Sequence, residues 1–374
     1  WLEEDRLPTP VEVALIAAAM SDESNPGFPY CLSSDKKRTW AFKNFDKFMA
    51  IVYARLVVLA HWGWDAWKMH PIDLWVNGLC DPYLVIEKNE VHKVAKLEAG
   101  LQRNVLAGSV VDEEIDKLLF SGLCGSNKDD YGDCPSMIGL GFTPEHVERV
   151  RKSLFEGDEV GRREAASTDV SGFEFSYTEE DYVLDVEFEQ RALKLGPKWS
   201  KILAARNACH ANGVYVFTDG RVWFQRVKGF GKSGTYTTAT KNTRKRLRSA
   251  YAAGSTWAKA AGDDAVETVV PNMKQVYAEL NLSLKEVSVS EDEREFCSHV
   301  WRREGPPIPL NAAKSFVALL SEGPTPQKYL QVLGQFWNAP ERPSFVAVLD
   351  RIDWPCVSEE DSKRLRDQRG ENLL

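Results

Sequence analysis

Two carboxylates stand side by side at Asp263 and Asp264, after Gly262 and before the apolar run that opens at Ala265. A tight turn ahead of a hydrophobic strand can hold such a pair at a hairpin tip. Hard divalent cations need oxygen ligands, and Mg2+ takes only one or two protein carboxylates plus substrate phosphates. Alone the triplet decides little, because chance supplies Gly-Asp-Asp in roughly one of ten to fifteen chains this long. A third acid from elsewhere in the chain, such as Asp169, would let two metals sit about 3.5–4 Å apart, the arrangement used for phosphoryl transfer.

A second segment is more specific. Residues 231–242, Gly-Lys-Ser-Gly-Thr-Tyr-Thr-Thr-Ala-Thr-Lys-Asn, fit Ser-Gly-x3-Thr-x3-Asn. Chance supplies that pattern in well under about 1% of chains of this length. The segment passes from a glycine-rich turn into a helix. Gly231 and Gly234 let backbone approach a ligand closely, and a helix start offers unpaired N–H groups. Asn242 falls further along that helix, where its amide can meet a ribose hydroxyl. Gly231-Lys232-Ser233 also invites a P-loop reading, but that pattern needs a glycine five residues before Gly231, where Arg226 stands.

Residues 9–20, 46–60, 113–120, 145–154, 178–195 and 237–253 read as helices, with Thr178 as an N-cap. Residues 214–227 alternate about Asp219-Gly220 as a hairpin does, 266–270 read as a strand, and a helical region starts at Lys314. Proline and glycine clusters at 25–29, 305–309 and 323–326 mark joints. Helices and short strands interleave without a strict βαβ rhythm, so the expected class is α+β.

With 43% hydrophobic and 27% charged residues, the 374-residue chain is neither disordered nor collagen-like. Seven cysteines, an odd count with no Cys-x2-Cys pair, fit reduced thiols better than a disulfide framework or a zinc site. His210 beside Cys209 and His299 near Cys297 lack the repeated spacing of zinc ligands. The most apolar run, residues 48–61, is interrupted by Arg55 and falls short of the ~20 residues a membrane span needs. A buried helix is expected there, with no membrane span and no signal peptide in the chain.

In chain order, residues 168–174 (Thr-Asp-Val-Ser-Gly-Phe-Glu), the 231–242 segment and Gly262-Asp263-Asp264 resemble motifs A, B and C of viral RNA-dependent RNA polymerases. The form is similar to that of the luteovirus–sobemovirus group of positive-strand RNA viruses. Residues 24–30 look like motif G, and 88–93, continued to Lys96 and Arg103, like motif F, which covers the incoming triphosphate in that family. Residues 277–285 resemble motif D, and 295–299 the primer grip, motif E. The likeness runs from about residue 24 to 320 in the family's order. It implies a right-hand fold: fingers over 1–160, an antiparallel-sheet palm over 161–300 with a fingers insertion near 195–230, and a thumb over 301–374.

The implied reaction is nucleotidyl transfer from a nucleoside triphosphate to an RNA 3′ end, copying an RNA template. Asp169 and Asp263 would ligate two Mg2+ ions, with Mn2+ as the alternative and Asp264 assisting. Lys285 would be the proton donor to pyrophosphate. Ser233, Gly234, Thr238 and Asn242 would position ribose and template, and Lys88, Lys93 and Arg103 would hold the triphosphate. The implied partners are RNA template and product, nucleoside triphosphates, a protein primer and other viral replication proteins. The implied location is the host cytoplasm, in membrane-associated replication complexes reached through partners.

Two positions depart from the family pattern. Glu174 stands where an aspartate usually reads the ribose 2′-OH, and residues 101–105 carry one basic side chain fewer than the group's Arg-Leu-Arg-Leu-Ile. A reverse transcriptase would be expected to place an aromatic where Ala261 stands. A catalytically inactive RNA-binding scaffold would have no reason to keep three mutually repelling acids. The net charge of −8 argues against coating nucleic acid by bulk charge. Positive charge is instead gathered in two segments, Lys88 to Arg103 and Lys228 to Arg248, which predicts a local basic channel for RNA.

Overall fold

The computed structural model describes residues 1–88, 94–100, 102–129, 134–139, 141, 143–155, 164–321, 336, 338–352, 358 and 360. The chain divides into two compact units. One comprises Trp1–Lys88, Leu101–Ser126 and Gly172–Lys241; the other comprises Asn89–Gly100, Asn127–Ser171 and Asn242–Leu374. Eleven strands are present among the described residues. In chain order they are β1 (Tyr83–Glu87), β2 (Asn104–Ala107), β3 (Ala165–Ser171), β4 (Val214–Phe217), β5 (Val222–Phe224), β6 (Ala258–Ala261), β7 (Asp264–Thr268), β8 (Ser283–Ser290), β9 (Glu293–Phe296), β10 (His299–Arg302) and β11 (Ile308–Pro309).

The first unit carries a four-stranded sheet in the order β2-β1-β4-β5. β1 pairs antiparallel with β2 and parallel with β4, and β4–β5 is the expected hairpin about Asp219-Gly220. The helix Phe45–Trp62 forms where the apolar run predicted one. Glu179–Leu193 begins as expected: the Thr178 hydroxyl accepts the Asp181 N–H, and the Asp181 carboxylate accepts the Thr178 N–H. That reciprocal pair satisfies two N–H groups the helix start would otherwise leave open.

One helix of this unit, Pro197–Ala211, has no counterpart in the sequence reading. Eleven of its fifteen residues are buried, so it carries no polar stripe to betray a helical period. Its Arg206 bonds Asp116 at 2.7 Å, and His210 Nε2 lies 3.0 Å from the same carboxylate. Asp116 belongs to the helix Val110–Asp129, whose Asp112 pairs with Arg55. Three acids of this helix, Asp112, Glu114 and Asp116, are therefore buried.

The second unit is built on an antiparallel sheet in the order β6-β7-β3-β8. A smaller sheet, β11-β10-β9, lies beside it in the same unit, and the Glu295 N–H on β9 donates to Ser167 Oγ on β3 at 2.9 Å. Met137, Leu154, Phe155, Ala165, Val266, Phe296 and Trp301 form one core cluster. Towards the C-terminus, Phe316 stacks on Phe345 with centroids 4.2 Å apart, in a cluster with Leu319, Phe336 and Leu349. The mixture of helices with antiparallel sheets is the expected α+β class.

Glu114 differs from its neighbours on the Val110–Asp129 helix. It is fully buried, and neither carboxylate oxygen has a hydrogen-bond partner. Burial pushes its pKa up to about 8, with Glu113 adding to the rise and Lys117 opposing it. A raised carboxyl pKa means that the folded state binds more protons than the unfolded state between the two values. Stability therefore falls as pH rises from about 4.5 through about 8. Glu114→Gln is expected to remove that decline. Thermal melting should give a Tm a few degrees above wild type at pH 9 and nearly unchanged at pH 4.

Candidate active site

The acidic hairpin forms because β6 and β7 are joined by only two residues. Ala261 pairs with Asp264, leaving Gly262 and Asp263 as the turn. Gly262 has φ +66°, the left-handed region that the first central position of a type II′ turn requires. Its N–H donates to Thr243 Oγ1 at 2.7 Å, which fixes the turn to the helix Thr238–Ala252. Asp263 is therefore exposed at the tip, and Asp264 opens β7.

β3 brings the third acid. Thr168 is paired with Ala265, so the next step of the antiparallel register sets Asp169 level with Asp264. On the other edge of β3, Asp169 pairs with Glu286 and Val170 with Leu284. Lys285 is the extra residue, and this β-bulge turns its side chain towards Asp169. Lys285 Nζ lies 3.0 Å from Asp169 Oδ2 and 3.7 Å from Glu286 Oε1. The Asp169 carboxylate holds the lysine pKa above its usual value.

These groups share a cleft of about 740 Å3 whose lining includes Asp169, Asp264, Lys274, Lys285, Cys297 and Ser298. Burial raises the Asp264 pKa to about 6, and the charges of Asp263 and Asp169 add to the rise. Cys297 and Ser298 form the two-residue turn between β9 and β10. Both have positive φ, +50° and +57°, where L side chains are strained. The Cys297 backbone N–H is directed at the Asp264 carboxylate and lowers its pKa. A strained turn thus presents a donor to one of the acids.

The donor set fits a hard divalent cation: carboxylate oxygens of Asp169, Asp263 and Asp264, opening on a polar cleft. Among the described residues, no three acid, cysteine or histidine side chains already converge as a closed cage. A site that takes one or two carboxylates and completes its shell with phosphate oxygens needs no such cage. Burial, with the charges of Asp263 and Asp169 adding to it, raises the Asp264 pKa, and a bound cation would oppose that rise.

Of the remaining predicted residues, Lys88, Arg103, Glu174, Ser233, Gly234 and Thr238 belong to the first unit and Asn242 to the second. Ser233 Oγ lies 3.3 Å from Glu174 Oε1, and the Gly231 N–H donates to the Glu174 carbonyl at 2.7 Å. Leu106 on β2 donates its N–H to the Ser233 carbonyl at 2.9 Å. Gly234, at φ +101°, is pressed so closely to β2 that a Cβ would come within 2.7 Å of Val105 Cγ1. The turn is thereby docked on the strand that follows the predicted triphosphate-binding segment. Thr238 Oγ1 is engaged inside the turn, 2.6 Å from the Lys232 carbonyl and accepting the Thr235 N–H. Asn242 follows one helical turn later and is half-buried.

Lys88 and Arg103 are exposed at the connected end of the β1–β2 pair, where the Lys88 N–H donates to the Arg103 carbonyl at 2.9 Å. Lys93 lies outside the described residues. The sequence reading of residues 228–248 as a basic channel is corrected. Lys232, Lys241, Lys245 and Arg246 are buried. Lys241 bonds Asn207 and faces the rings of Phe120 and Tyr182, and Lys228 bonds Glu179 and the Trp67 carbonyl. Much of this charge is consumed by internal acceptors and aromatic faces rather than presented to phosphate.

Residues 189–311 match the family model described as viral RNA-directed RNA polymerase. The replicase polyprotein P2AB of Southern bean mosaic virus is 31% identical over 77% of this chain, and protein P1-P2 of Turnip yellows virus is 33% identical over 67%. The RNA-directed RNA polymerase of Mushroom bacilliform virus is 28% identical over 84% of this chain and 78% of its own length. The chain belongs to the viral RNA-directed RNA polymerases. It spans 30% of the bean virus polyprotein and 25% of the turnip virus protein. The crystal structure of the RNA-dependent RNA polymerase of a human picorbirnavirus shares the fold, with TM-score 0.62 at 15% identity over 98% of this chain and 68% of that one. The right-hand polymerase fold implied by the motifs is therefore the fold of this chain.

Sequence reasoning missed what supports the acidic hairpin. On the face of the sheet opposite the carboxylates, Arg246 and Glu267 form a fully buried ion pair at 2.7 Å. Arg246 also bonds Tyr277 Oη at 2.9 Å, Thr168 Oγ1, and the Asp263 carbonyl at 3.2 Å. Tyr277 donates to Glu267 Oε2 at 2.5 Å. The signal that could have found it was Glu267 itself, a carboxylate within the apolar run Ala265-Val266-Glu267-Thr268-Val269. Arg246→Met would leave Glu267 buried and unpaired, so denaturant unfolding should show a loss of about 3–5 kcal/mol. Adding Glu267→Gln should recover part of that loss; full additivity would disprove the pairing as the source.

Proposed function

We propose that this chain catalyses RNA-templated RNA synthesis and that its acidic cleft is the site of nucleotidyl transfer. The observation that carries the reading is the convergence of Asp169, Asp264 and Lys285 in one cleft, with Asp263 at its hairpin tip. Membership of the viral polymerase family supports it. The scaffold and reverse-transcriptase alternatives gain no supporting observation.

In this reading, the RNA 3′-oxygen attacks the α-phosphorus of the nucleoside triphosphate. The bond to the β-phosphate oxygen breaks, and pyrophosphate leaves. When bound by Asp169, Asp263 and Asp264, two divalent cations supply positive charge against the charge developing on the phosphoryl oxygens. Lys285 holds a proton at Nζ; its raised pKa keeps it charged at neutral pH, as a general acid toward pyrophosphate requires. Glu174 and Ser233 together present an acceptor and a hydroxyl suited to a ribose 2′-OH. Lys88, Lys93 and Arg103 would hold the triphosphate, with Gly234, Thr238 and Asn242 shaping the sugar and template side.

RNA template and product and nucleoside triphosphates are the substrates, and a protein primer and other viral replication proteins are the proposed associates. Among the described residues no helix is long and apolar enough to cross a membrane. Placement in membrane-associated replication complexes of the host cytoplasm, through those associates, is part of the proposal.

Asp263→Asn combined with Asp264→Asn should abolish Mg2+-dependent extension of an oligo(U) primer on poly(A) while leaving the melting curve cooperative. Extension retained by that variant would remove the site assignment. Lys285→Ala should lower the single-turnover rate by about 10²–10⁴; an unchanged rate would reduce Lys285 to a surface partner of Asp169.

A further inference from the structure

Lys232 stands between Gly231 and Ser233 yet has no part in the chemistry proposed for its neighbours. Its side chain is buried, and among the described residues it meets no carboxylate. Its Nζ donates to Gln225 Oε1 at 2.6 Å and to the Phe230 carbonyl at 3.1 Å. The same nitrogen lies 5.0 Å from the Phe230 ring centroid and 5.7 Å from that of Tyr215. Burial holds its pKa well below the usual lysine value. Burying an amine away from any carboxylate is costly, and the hydrogen bonds it makes offset part of that cost.

What it bonds is a bracket around the loop that leads into the glycine-rich turn. Gln225 Oε1 accepts from Lys232 and also from Tyr215 Oη at 2.8 Å. Gln225 Nε2 faces the carbonyls of Ala211 at 2.9 Å, Val227 at 2.6 Å and Gly229 at 3.4 Å. The loop needs holding. Gly229 has φ +126°, with the Tyr177 carbonyl 2.3 Å from where a Cβ would stand. Phe230 has φ +43°, a strained conformation for an aromatic residue.

The exit of this loop delivers two groups. The Gly231 N–H is bonded to the Glu174 carbonyl, and Ser233 Oγ faces Glu174 Oε1. We propose that Gln225 and Lys232 are a positioning pair that sets Ser233 against Glu174 and thereby determines how strictly the enzyme selects ribose over deoxyribose. This rests on the sugar-reading role proposed for Glu174 and Ser233. The lysine of the excluded P-loop pattern thus bonds its own loop instead of a phosphate.

The test is primer extension by the full chain on poly(A) with UTP and with dUTP, read as the ratio of the two kcat/KM values. Lys232→Met should lower that ratio by about tenfold, a coupling typical of residues in one hydrogen-bond network. In a Ser233→Ala background the same substitution should leave the ratio unchanged, because the pair acts through Ser233. A cooperatively melting Lys232→Met variant with wild-type discrimination would overturn the proposal. So would effects of Lys232→Met and Ser233→Ala that multiply in full, the signature of a merely structural loss. If Lys232→Met does not melt cooperatively, Gln225→Leu, at a half-buried position, carries the same test with the same outcomes. A wild-type chain that incorporates no UTP would count against the polymerase reading itself, which separates the two failures.

Discussion

The fully buried pair of Arg246 and Glu267 is the interaction on which the acidic site rests. Arg246 comes from the helix that continues the glycine-rich segment, Glu267 from β7, and Thr168 from β3. One guanidinium thus ties three elements together on the face of the sheet away from the cleft. Strand residues alternate between faces, so the residues beside Thr168 and before Ala265 are delivered to the other face. Those residues are Asp169 and Asp264. A buried pair adds little net stability over an apolar equivalent, but losing one partner is severe. Its proposed value here is register: a one-residue slip of β3 against β7 would send Asp169 to the wrong side.

Register of this kind is needed because the acids oppose their own assembly. Burial and the neighbouring charges of Asp263 and Asp169 already shift Asp264's titration towards neutrality. The fold counters with a lysine on a β-bulge and with a backbone N–H from a strained turn. Each device is local, and each comes from a different strand pair. The first unit uses similarly local devices around Ser233, where Gly229, Phe230 and Gly234 take positive φ so that backbone can approach backbone.

The proposed site residues were legible in the sequence through turn chemistry at Gly262-Asp263 and through resemblance to the family's motifs for Asp169, Asp264 and Lys285, which lie on strands. Asp169, Asp263, Asp264 and Lys285 were all named from the sequence, and the structure gathers Asp169, Asp264 and Lys285 around one cleft with Asp263 at the hairpin tip. Their supports were not legible. Arg246 read as one more charge on a basic helix, and the Pro197–Ala211 helix carried no periodicity because it is buried on nearly every side. β3, with the sequence Ala-Ala-Ser-Thr-Asp-Val-Ser, lacks the β-branched run that marks a strand. As an interior strand of its sheet, paired on both edges, it is specified by its neighbours rather than by its own propensity.

The sequence by itself determined the order and identity of the proposed site residues, the turn at Gly262-Asp263, and the family to which the chain belongs. Turn chemistry and motif spacing are short-range properties, written within a dozen residues. The tertiary structure alone decided where the positive charge goes. Residues 228–248 look like a basic strip in one dimension, yet Lys232, Lys241 and Arg246 turn inward to Gln225, Asn207 and Glu267. Those partners lie between seven and thirty-four residues away in sequence. Whether a cation faces solvent or a buried acceptor depends on which distant strand or helix packs beside it, and no local pattern records that.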